Sequence, residues 1–379
     1  SLEIAKNKAL IASHDDFDGF VSLSDLDRVD IKWWMSHIST ASMPILEPPI
    51  TDIINTDAST DGFGYFDHSS QVSGGGRWSE NERRLHINCL ELRAILLALQ
   101  ALFPGTLDKH IKIFCDSQVA IACVLRQGST KSLPCNTETR NLLLYCEKYH
   151  LVLTLAYIGT ADNVEADFES RHFANPDTEW SLHQSVFDQI CSLLDIFLDI
   201  DMFAERLNRK LPKYCAWRPD PQALFIDAFA VQWSDFNCIY LFPPFSLVGR
   251  VLKTFLNLPR RTVALLIVPF WKTSPWLTLA LQYLIRKPLV LQVNQYNQLL
   301  VLEHDRNRVH PLAGKLKLLV LVLSNSFTEA KGFRQTFPLL SRHHAQTRLT
   351  DSIKCTTQNG FVFVVKDRLI PSLPHSIRV

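Results

Sequence analysis

The chain has 379 residues, of which 47% are hydrophobic and 20% are charged. Such a composition can build sizeable cores and excludes an intrinsically disordered chain, and the length predicts two domains, or three. The formal net charge of +1 identifies no partner, because a nucleic-acid enzyme can carry a local basic groove on a neutral whole.

Nine cysteines, an odd number, are scattered along the chain without a Cys-x-x-Cys pair. This pattern favours core thiols in a reducing compartment over a zinc site. The largely apolar runs Thr262–Pro269 and Leu316–Leu323 are far shorter than the roughly 20 residues that a membrane helix needs. We therefore expect buried strands, no membrane partner, and an intracellular location in the cytoplasm, the nucleus or both.

The first part of the chain, residues 1–50, contains no long periodic segment. Three prolines within Met43–Pro49 are typical of an extended linker. We expect residues 1–50 to connect the following domain to whatever precedes it.

Residues 51–173 alternate between strand and helix patterns in the order β-β-β-α-β-α-α-β-α. Alternation of this kind predicts an α/β domain with a mixed sheet and flanking helices. In the first long helix, Asn88 is a candidate N-cap and Glu91 its reciprocal partner. The predicted strands are Asp52–Asp57, Gly62–Asp67, a strand at Gly74–Trp78, Ile111–Cys115 and Leu151–Ile158, and the predicted helices are Asn88–Leu102, Asp116–Gln127, Asn136–Tyr149 and Asn163–His172.

After residue 174 the pattern starts afresh, which predicts a second α/β domain over residues 174–379. Its alternating strands and helices favour a largely parallel, helix-covered sheet. The predicted strands are Leu224–Phe229, Ile239–Pro243, Thr262–Pro269, Leu289–Val293, Leu316–Leu323 and Gly360–Lys366, and the predicted helices are Asp177–Asp195, Phe245–Leu256 and Pro275–Ile285.

Four carboxylates occupy the ends of predicted elements in the first domain. Asp57 ends the first strand, Glu91 lies in the first turn of the first long helix, Asp116 ends the fourth strand, and Asp167 lies early in the last helix. Strand ends and adjacent helix starts meet at one edge of an α/β sheet, so the four acids can gather. Taken singly, Glu91 could be only a capping residue and Asp116 only an N-cap.

Clustered carboxylates repel one another, and hard cations such as Mg²⁺ or Mn²⁺ relieve that repulsion. Two such ions about 4 Å apart can clamp a phosphodiester for hydrolysis without a nucleophilic side chain. We therefore interpret Asp57, Glu91, Asp116 and Asp167 as catalytic, metal-binding residues.

The motifs around these acids resemble those of retroelement ribonucleases H, most of all those of DIRS-type retrotransposons, which encode a tyrosine recombinase elsewhere. The resemblance spans residues of about 30 to 330. It is carried by Trp33-Trp34, Thr56-Asp57-Ala58-Ser59, His86–Ala94, Asp116-Ser117-Gln118, Asn163 with Ala166-Asp167 and Ser170-Arg171, Glu179–Leu182, Asp201–Asn208, Asp227–Trp233, Phe242–Leu247 and Pro269–Trp276.

The resemblance implies a ribonuclease H domain over residues 51–173, followed by a Rossmann-like, methyltransferase-like domain over residues 174–379. The implied activity is metal-dependent cleavage of the RNA strand of RNA–DNA hybrids during reverse transcription. The implied partners are the hybrid and a reverse transcriptase domain or subunit. The alternative is a domesticated, non-catalytic module that binds nucleic acid or protein.

One departure from the family pattern concerns the loop before the last acidic motif. The family usually has His-Ile-Pro-Gly there, whereas this chain has Tyr157-Ile158-Gly159-Thr160. A histidine in that loop can aid proton transfer or product release, so its absence bears on rate more than on metal binding. His172 is expected to be a surface residue and not a substitute.

A ribonuclease H must sense 2′-hydroxyls and the minor groove of an A-form helix. Backbone amides near Gly62–Gly64 are candidate contacts, although charged and polar side chains are also common on ordinary solvated faces. The candidate side chains for the sugars and bases are Ser59, Asn88, Ser117 and Gln118, and those for phosphates are Arg77, Arg83, Arg84, Arg126 and Lys131.

The second domain departs from active adenine methyltransferases at two places. Phe242-Pro243-Pro244-Phe245 stands where those enzymes have Asp-Pro-Pro-Tyr, and Phe242 cannot accept a hydrogen bond from an amine. Asp201–Arg206 contains no glycine, although a bound cofactor needs a close backbone approach. We expect no S-adenosylmethionine and no methylation, but a scaffold that binds nucleic acid or a neighbouring domain. Trp217, Trp233, Trp271 and Trp276 are either core residues or a stacking surface.

Overall fold

The computed structural model describes residues 2–40, 48–173, 180–292, 299–312, 315–339 and 361–373. The chain divides into two units, Ser1–Phe173 and Ala174–Val379. The larger part of the predicted Met43–Pro49 linker and the start of the predicted helix from Asp177 lie outside the described residues.

The first unit contains five strands and six helices among its described residues. The strands are β1 (Asp52–Ala58), β2 (Gly62–Asp67), β3 (Val72–Arg77), β4 (His110–Cys115) and β5 (Val152–Tyr157). The helices are α1 (Leu2–Ala12), α2 (Asp25–His37), α3 (Ile87–Leu102), α4 (Gln118–Leu125), α5 (Leu133–Tyr149) and α6 (Val164–Arg171).

The five strands form one mixed sheet in the order β3-β2-β1-β4-β5. Strands β1, β2 and β3 are antiparallel neighbours, whereas β1, β4 and β5 run parallel to one another. This confirms the predicted mixed sheet with flanking helices and the predicted element order after residue 50. Because β1 and β4 are parallel, their carboxyl ends, which carry Asp57 and Asp116, lie at the same edge.

Helix α3 forms because leucine, isoleucine and alanine recur at helical spacing along one apolar face. It packs against β1, β2 and α5. Leu92, Ile95 and Leu99 of α3 are fully buried with Ile54 and Ile113 of the sheet. This core fixes α3 across the sheet and thereby fixes the position of Glu91.

The predicted cap of α3 was wrong. The N-cap is His86, whose Nδ1 accepts a hydrogen bond from the backbone N–H of Asn88 at 3.2 Å. Asn88 is therefore already inside the helix, and Glu91 lies deeper in it than a capping-box partner does. The carboxylate of Glu91 is consequently available for another role.

Two helices occupy the N-terminal segment, where the sequence pattern predicted none. Helix α2 begins with a capping box, in which Ser24 and Asp27 satisfy each other's backbone N–H groups. Arg140 of α5 forms an ion pair with Asp30 of α2. The segment thus includes a helix tied to α5.

Helix α6 lies directly on β1, β2 and β3. The approach is possible because Gly64 has no side chain. A Cβ at this position would come within 2.1 Å of the carbonyl oxygen of Ala166 and 2.5 Å of the backbone nitrogen of Ser170. Gly64 therefore permits the packing that brings Asp167 to the carboxyl edge of the sheet.

The second unit contains eleven strands and four helices among its described residues. The strands are β6 (Ser181–Leu182), β7 (Ile200–Asp201), β8 (Cys215–Ala216), β9 (Phe225–Ile226), β10 (Cys238–Leu241), β11 (Val263–Pro269), β12 (Leu289–Gln292), β13 (Leu300–Val301), β14 (Lys317–Ser324), β15 (Val362–Val365) and β16 (Arg368–Pro371). The helices are α7 (Gln184–Leu194), α8 (Val248–Leu256), α9 (Pro275–Gln282) and α10 (Phe327–Gln335).

The main sheet of this unit has the order β12-β14-β11-β10-β7. Strands β7, β10 and β11 are parallel, and β14 is antiparallel to both β11 and β12. Only β14 is therefore reversed. A parallel bridge between Asp201 and Tyr214 links β7 to the small parallel pair β8 and β9.

One predicted buried strand, Leu224–Phe229, was wrong in its burial and extent. The strand there, β9, covers two residues and is exposed, with Leu224, Phe225 and Ile226 each more than one-third accessible. An apolar run is typical of a buried strand, but β9 pairs only with the two-residue strand β8 and stays exposed. No helix in the described ranges is long and apolar enough to cross a membrane.

The packing at Gly64 gives a first prediction. Gly64→Ala forces α6 away from the sheet, so we expect a loss of about 2–3 kcal/mol in the free energy of unfolding, within the usual range for overpacking. Differential scanning calorimetry measures it. Gly332→Ala in α10 is the control, because a Cβ there meets nothing within 4 Å. Equal stability of the two variants would contradict the proposed role of Gly64.

Candidate metal centre

Three of the four predicted acids gather at the carboxyl edge of the first sheet. Asp57 comes from β1, Glu91 from α3, and Asp116 from the residue after β4. One carboxylate oxygen from each lies within 4.8 Å of the corresponding oxygens of the other two. Among the described residues this is the one group of acids, histidines and cysteines with metal-ligand spacing.

Asp57 and Glu91 are buried, with 2% and 5% of their surfaces exposed. Burial, followed by the charges of Asp57 and Asp116, raises the pKa of Glu91 from 4.5 to about 9. Its Oε2 is buried without a hydrogen-bond partner among the described residues. Burial also raises the pKa of Asp57, and the charge of Asp116 adds to that effect.

This arrangement fits a divalent cation. A buried carboxylate oxygen without a partner is costly, and three negative charges this close disfavour full ionisation. The ligand atoms are all carboxylate oxygens, which suit Mg²⁺ or Mn²⁺ and not softer, thiolate-preferring metals. The donor set therefore matches the ions predicted from the sequence.

Asp167, the fourth predicted acid, lies outside the group of three. Its Oδ1 accepts hydrogen bonds from Arg171, with Nη2 at 2.7 Å and Nε at 2.8 Å. It is nevertheless close enough for its charge to raise the pKa of Asp57. Asp167 is thus near the cluster but held by an arginine one helical turn away.

Two hydroxyl groups orient the acids, and sequence reasoning gave neither of them this role. The Ser170 hydroxyl donates to Oδ2 of Asp57 at 2.7 Å, and the Thr160 hydroxyl donates to Oδ2 of Asp116 at 2.9 Å. Ser170 appeared only as part of a motif. Thr160 belongs to the loop that departs from the family pattern. No local signal in the sequence pairs residues so far apart in the chain.

The loop before α6 places no histidine beside the acids. Tyr157 is 56% exposed, and Thr160 begins a short 3₁₀ helix. His172 is exposed and stacks on Phe168 with ring centroids 4.1 Å apart. It is a surface residue, as predicted.

A groove of about 1500 Å³ contains two of the predicted substrate contacts, Asn88 and Gln118. Asn88 lies three residues before Glu91 on α3, hence on the same helix face, and Gln118 follows the Asp116 loop. None of the four acids lines the groove itself. Its basic residues include Arg84, Arg126 and Lys131, three of the predicted phosphate contacts.

Two other predicted substrate contacts, Ser59 and Ser117, make hydrogen bonds within the protein. Ser59 is 7% exposed, and its hydroxyl donates to the carbonyl of Ser170 at 2.7 Å. The Ser117 hydroxyl caps α4 by accepting the N–H of Ala120, which also removes Asp116 from the cap position.

The backbone at Gly62–Gly64, also predicted as a substrate contact, makes hydrogen bonds within the fold. Strand β2 is paired on both sides, and the Gly62 N–H donates to Ser59 Oγ. Gly64 instead serves the packing of α6. The guanidinium of Arg77 lies over the ring of Phe173 at 4.3 Å, and Arg83 forms an ion pair with Asp61.

Comparison with known proteins places few constraints on the chain. No protein-family model matches it, and none of the curated proteins does. Among solved structures, LC11-RNase H1 in complex with an RNA/DNA hybrid is 17% identical with a TM-score of 0.27, over 31% of this chain and 91% of that one. RNase H1 from the halophilic archaeon Halobacterium salinarum NRC-1 is 17% identical with a TM-score of 0.26, over 31% and 89%.

A longer overlap is found with the prototype foamy virus protease-reverse transcriptase. It is 14% identical with a TM-score of 0.21, and the match covers 48% of this chain and 26% of the viral one. Structural similarities with TM-scores this low assign no function to this chain. The geometry of the acid cluster therefore carries the functional conclusion.

The pKa of Glu91 gives a prediction about stability. The folded state holds a proton that the unfolded chain releases, so without metal the free energy of unfolding falls as pH rises from about 4.5 to about 9. Glu91→Gln should flatten this dependence and raise stability at pH 8 by about 1–3 kcal/mol. Urea denaturation with a chelator, with exposed Glu147→Gln as the control, tests it. A wild-type stability that increases over this range would refute the assignment.

The Ser170 hydrogen bond gives a prediction about metal binding. Ser170→Ala frees the Asp57 carboxylate to rotate, so Mn²⁺ affinity should fall by about tenfold, as for other residues that orient metal ligands. Titration calorimetry with Mn²⁺ measures it. Ser73→Ala is the matched control, because Ser73 also bonds to α6, through Glu169 at 2.7 Å. Similar affinities in both variants would rule out the positioning role.

Proposed function

We propose that residues 51–173 form a ribonuclease H domain, a divalent-metal-dependent endonuclease that cleaves the RNA strand of RNA–DNA hybrids during retroelement reverse transcription. The observation that carries the proposal is the convergence of Asp57, Glu91 and Asp116, from three different elements, within 4.8 Å of one another. Such a cluster has no structural use, because it costs stability wherever no cation occupies it.

Asp57, Glu91 and Asp116 would hold Mg²⁺ or Mn²⁺, with Asp167 as the fourth ligand. When bound, the ions stabilise the charge that develops on phosphate and lower the pKa of a water molecule for attack. Arg171 keeps Asp167 oriented near the cluster until a cation competes for its carboxylate. Two divalent cations neutralise the charge of four carboxylates more fully than one does.

The chain's own residues prepare this chemistry. Ser170 and Thr160 fix the orientation of Asp57 and Asp116, so no side-chain reorientation accompanies metal binding. Burial of Glu91 keeps water from one of its oxygens and raises its pKa. The side chain therefore holds a proton, which it would release when a cation binds. Metal affinity should therefore increase with pH.

The groove that Asn88 and Gln118 line suits a hybrid duplex. Asn88 lies on the same helix as Glu91 and Gln118 lies two residues after Asp116, so their amide groups can test for 2′-hydroxyls of the RNA strand. Arg84, Arg126 and Lys131 lie farther along the same groove and can neutralise phosphates without reading sequence. A reverse transcriptase domain or subunit would supply the hybrid.

We infer that the second unit is a Rossmann-like scaffold without methyl transfer. Supporting this, β7, β10 and β11 are parallel and the reversed strand β14 lies beyond them. Phe242 follows β10 and lines a cavity, and its ring cannot accept a hydrogen bond from a reacting amine. Absence of binding to S-adenosylmethionine in a calorimeter is the expected result.

A second candidate function is a domesticated, non-catalytic interaction module. The observation that favours it is the contact of two Arg171 nitrogens with Oδ1 of Asp167, which engages the fourth acid. Arg171 is itself 54% exposed at its side chain, so its hold on Asp167 is weakened by solvent. For this reason we prefer the enzyme.

Cleavage of a labelled RNA–DNA hybrid with Mg²⁺ tests the proposal. We expect the RNA strand to be cut, and Asp116→Asn to reduce the rate at least a hundredfold, because one ligand of the cluster loses its charge. Asp108→Asn is the control, since Asp108 is an exposed acid paired with His150. If wild type leaves the RNA intact, or if Asp116→Asn cuts as fast, the non-catalytic reading replaces ours.

A further inference from the structure

Two cysteine side chains meet between helices α3 and α5 of the first unit. The sulfur atoms of Cys89 and Cys135 lie 3.4 Å apart, although 46 positions separate the two residues in the chain. Each belongs to the first turn of its helix, three residues after the N-caps His86 and Ser132. The proposed metal chemistry uses neither thiol, because Mg²⁺ and Mn²⁺ prefer oxygen ligands.

The two helices are held side by side, so the approach of the thiols does not depend on their side chains alone. One turn farther along, the guanidinium of Arg93 in α3 donates to both carboxylate oxygens of Glu138 in α5, at 2.7 and 3.0 Å. Leu142 of α5 is fully buried in the same core as Leu92 of α3. The ion pair and the core together fix the spacing of the helices near the thiols.

The pair of thiols is buried but borders a groove. Cys89 is 1% exposed and Cys135 is 4% exposed, and both line the groove of about 1500 Å³ that also contains Asn88. Access to the sulfur atoms is thus limited to small solutes that enter the groove. Burial raises the pKa of the Cys89 thiol to about 12, which slows its oxidation at neutral pH because the thiolate is the reactive form.

The spacing of the sulfur atoms suits a disulfide better than a metal ion. An S–S bond is about 2.05 Å long, so the two atoms need to approach by roughly 1.4 Å. Rotation of the two side chains and a slight approach of the helices can supply this. Cys123 of α4 borders the same groove, but among the described residues the three thiols do not form a group with metal-ligand spacing.

We propose that Cys89 and Cys135 form an oxidation site, at which a hydroperoxide converts the two thiols to a disulfide that links α3 to α5. One sulfur, as its thiolate, attacks a peroxide oxygen, the O–O bond breaks, water leaves, and a sulfenic acid remains. The other sulfur then attacks the sulfenic sulfur, the S–O bond breaks, and the oxygen leaves as water with the second thiol proton. With hydrogen peroxide, two thiols and one peroxide give one disulfide and two water molecules, and the two electrons lost by sulfur reduce the peroxide.

The disulfide joins the first turns of two helices that both border the groove. A cross-link between residues so far apart in the chain stabilises the folded protein, in the chain-entropy account by restricting the unfolded chain. In a reducing compartment such bonds are transient and sense oxidants, so a thiol reductant reverses this one. The inference is independent of the proposed function, because none of the four acids takes part in the reaction.

Peptide mapping of the full chain after peroxide treatment tests the proposal. Reduced protein is treated with hydrogen peroxide, unfolded in N-ethylmaleimide to label the remaining thiols, and digested for mass spectrometry. We expect a cross-linked peptide pair that contains Cys89 and Cys135 and that dithiothreitol separates. Maleimide on both residues, sulfinic acid on both without a bond, or a bond from either to Cys123 would overturn the proposal.

Thermal unfolding shows whether the bond joins the helices in the folded protein. Oxidised wild type should melt several degrees above reduced wild type, and Cys135→Ala should lose this increase. Cys146→Ala is the matched control and should keep it, because Cys146 also lies in α5 and is 5% exposed but has no hydrogen bond to a second thiol among the described residues. No increase in wild type, or an equal increase in Cys135→Ala, would contradict the cross-link. The peptide map needs no variant, so it decides the question even where a substitution impairs folding.

Asp116→Asn separates this inference from the proposed function. The substitution removes hybrid cleavage under that function but leaves both thiols and their helices in place, so the same disulfide should form in it. A mapped disulfide in a wild-type protein that leaves hybrids intact would refute only the proposed function. Cleavage by a wild-type protein that forms no disulfide would refute only this inference.

Discussion

The repulsion among Asp57, Glu91 and Asp116 is the constraint on which the first unit depends. Each acid is anchored by an element that the hydrophobic core fixes, two by parallel strands and one by α3. The core supplies the free energy that holds like charges together, and Glu91 responds by retaining a proton.

The fourth acid depends on a different constraint, the close approach of α6 to the sheet. Gly64 makes this approach possible, and the same approach brings the Ser170 hydroxyl to Asp57. Helix α6 therefore contributes a positioning group to the cluster as well as Asp167. Its short length makes that contribution sensitive to packing, because eight residues hold little helix stability of their own.

The sequence predicted the elements of residues 51–173 in their observed order because apolar periodicity is a local signal. It also predicted that four acids meet, since strand ends and helix starts share an edge, and the structure groups three of them. It failed where a role depends on partners distant in the chain. The Ser59 hydroxyl, predicted to contact substrate, donates to the carbonyl of Ser170 in α6. Thr160, in the loop that lacks the family's histidine, donates to Asp116. The apolar run at Leu224–Phe229 misled for a related reason, since β9 pairs only with the short strand β8 and its hydrophobic residues stay exposed.

Both units place their polar groups at the carboxyl ends of parallel strands, yet the two edges differ in chemistry. In the first unit, three carboxylates lie within 4.8 Å of one another, and in the second no such group occurs among the described residues. Carboxylates that crowd together need a cation, whereas separated carboxylates among aromatic rings act as hydrogen-bond acceptors. The spacing of acids, and not their number, therefore distinguishes an edge suited to a divalent cation from an edge that is not.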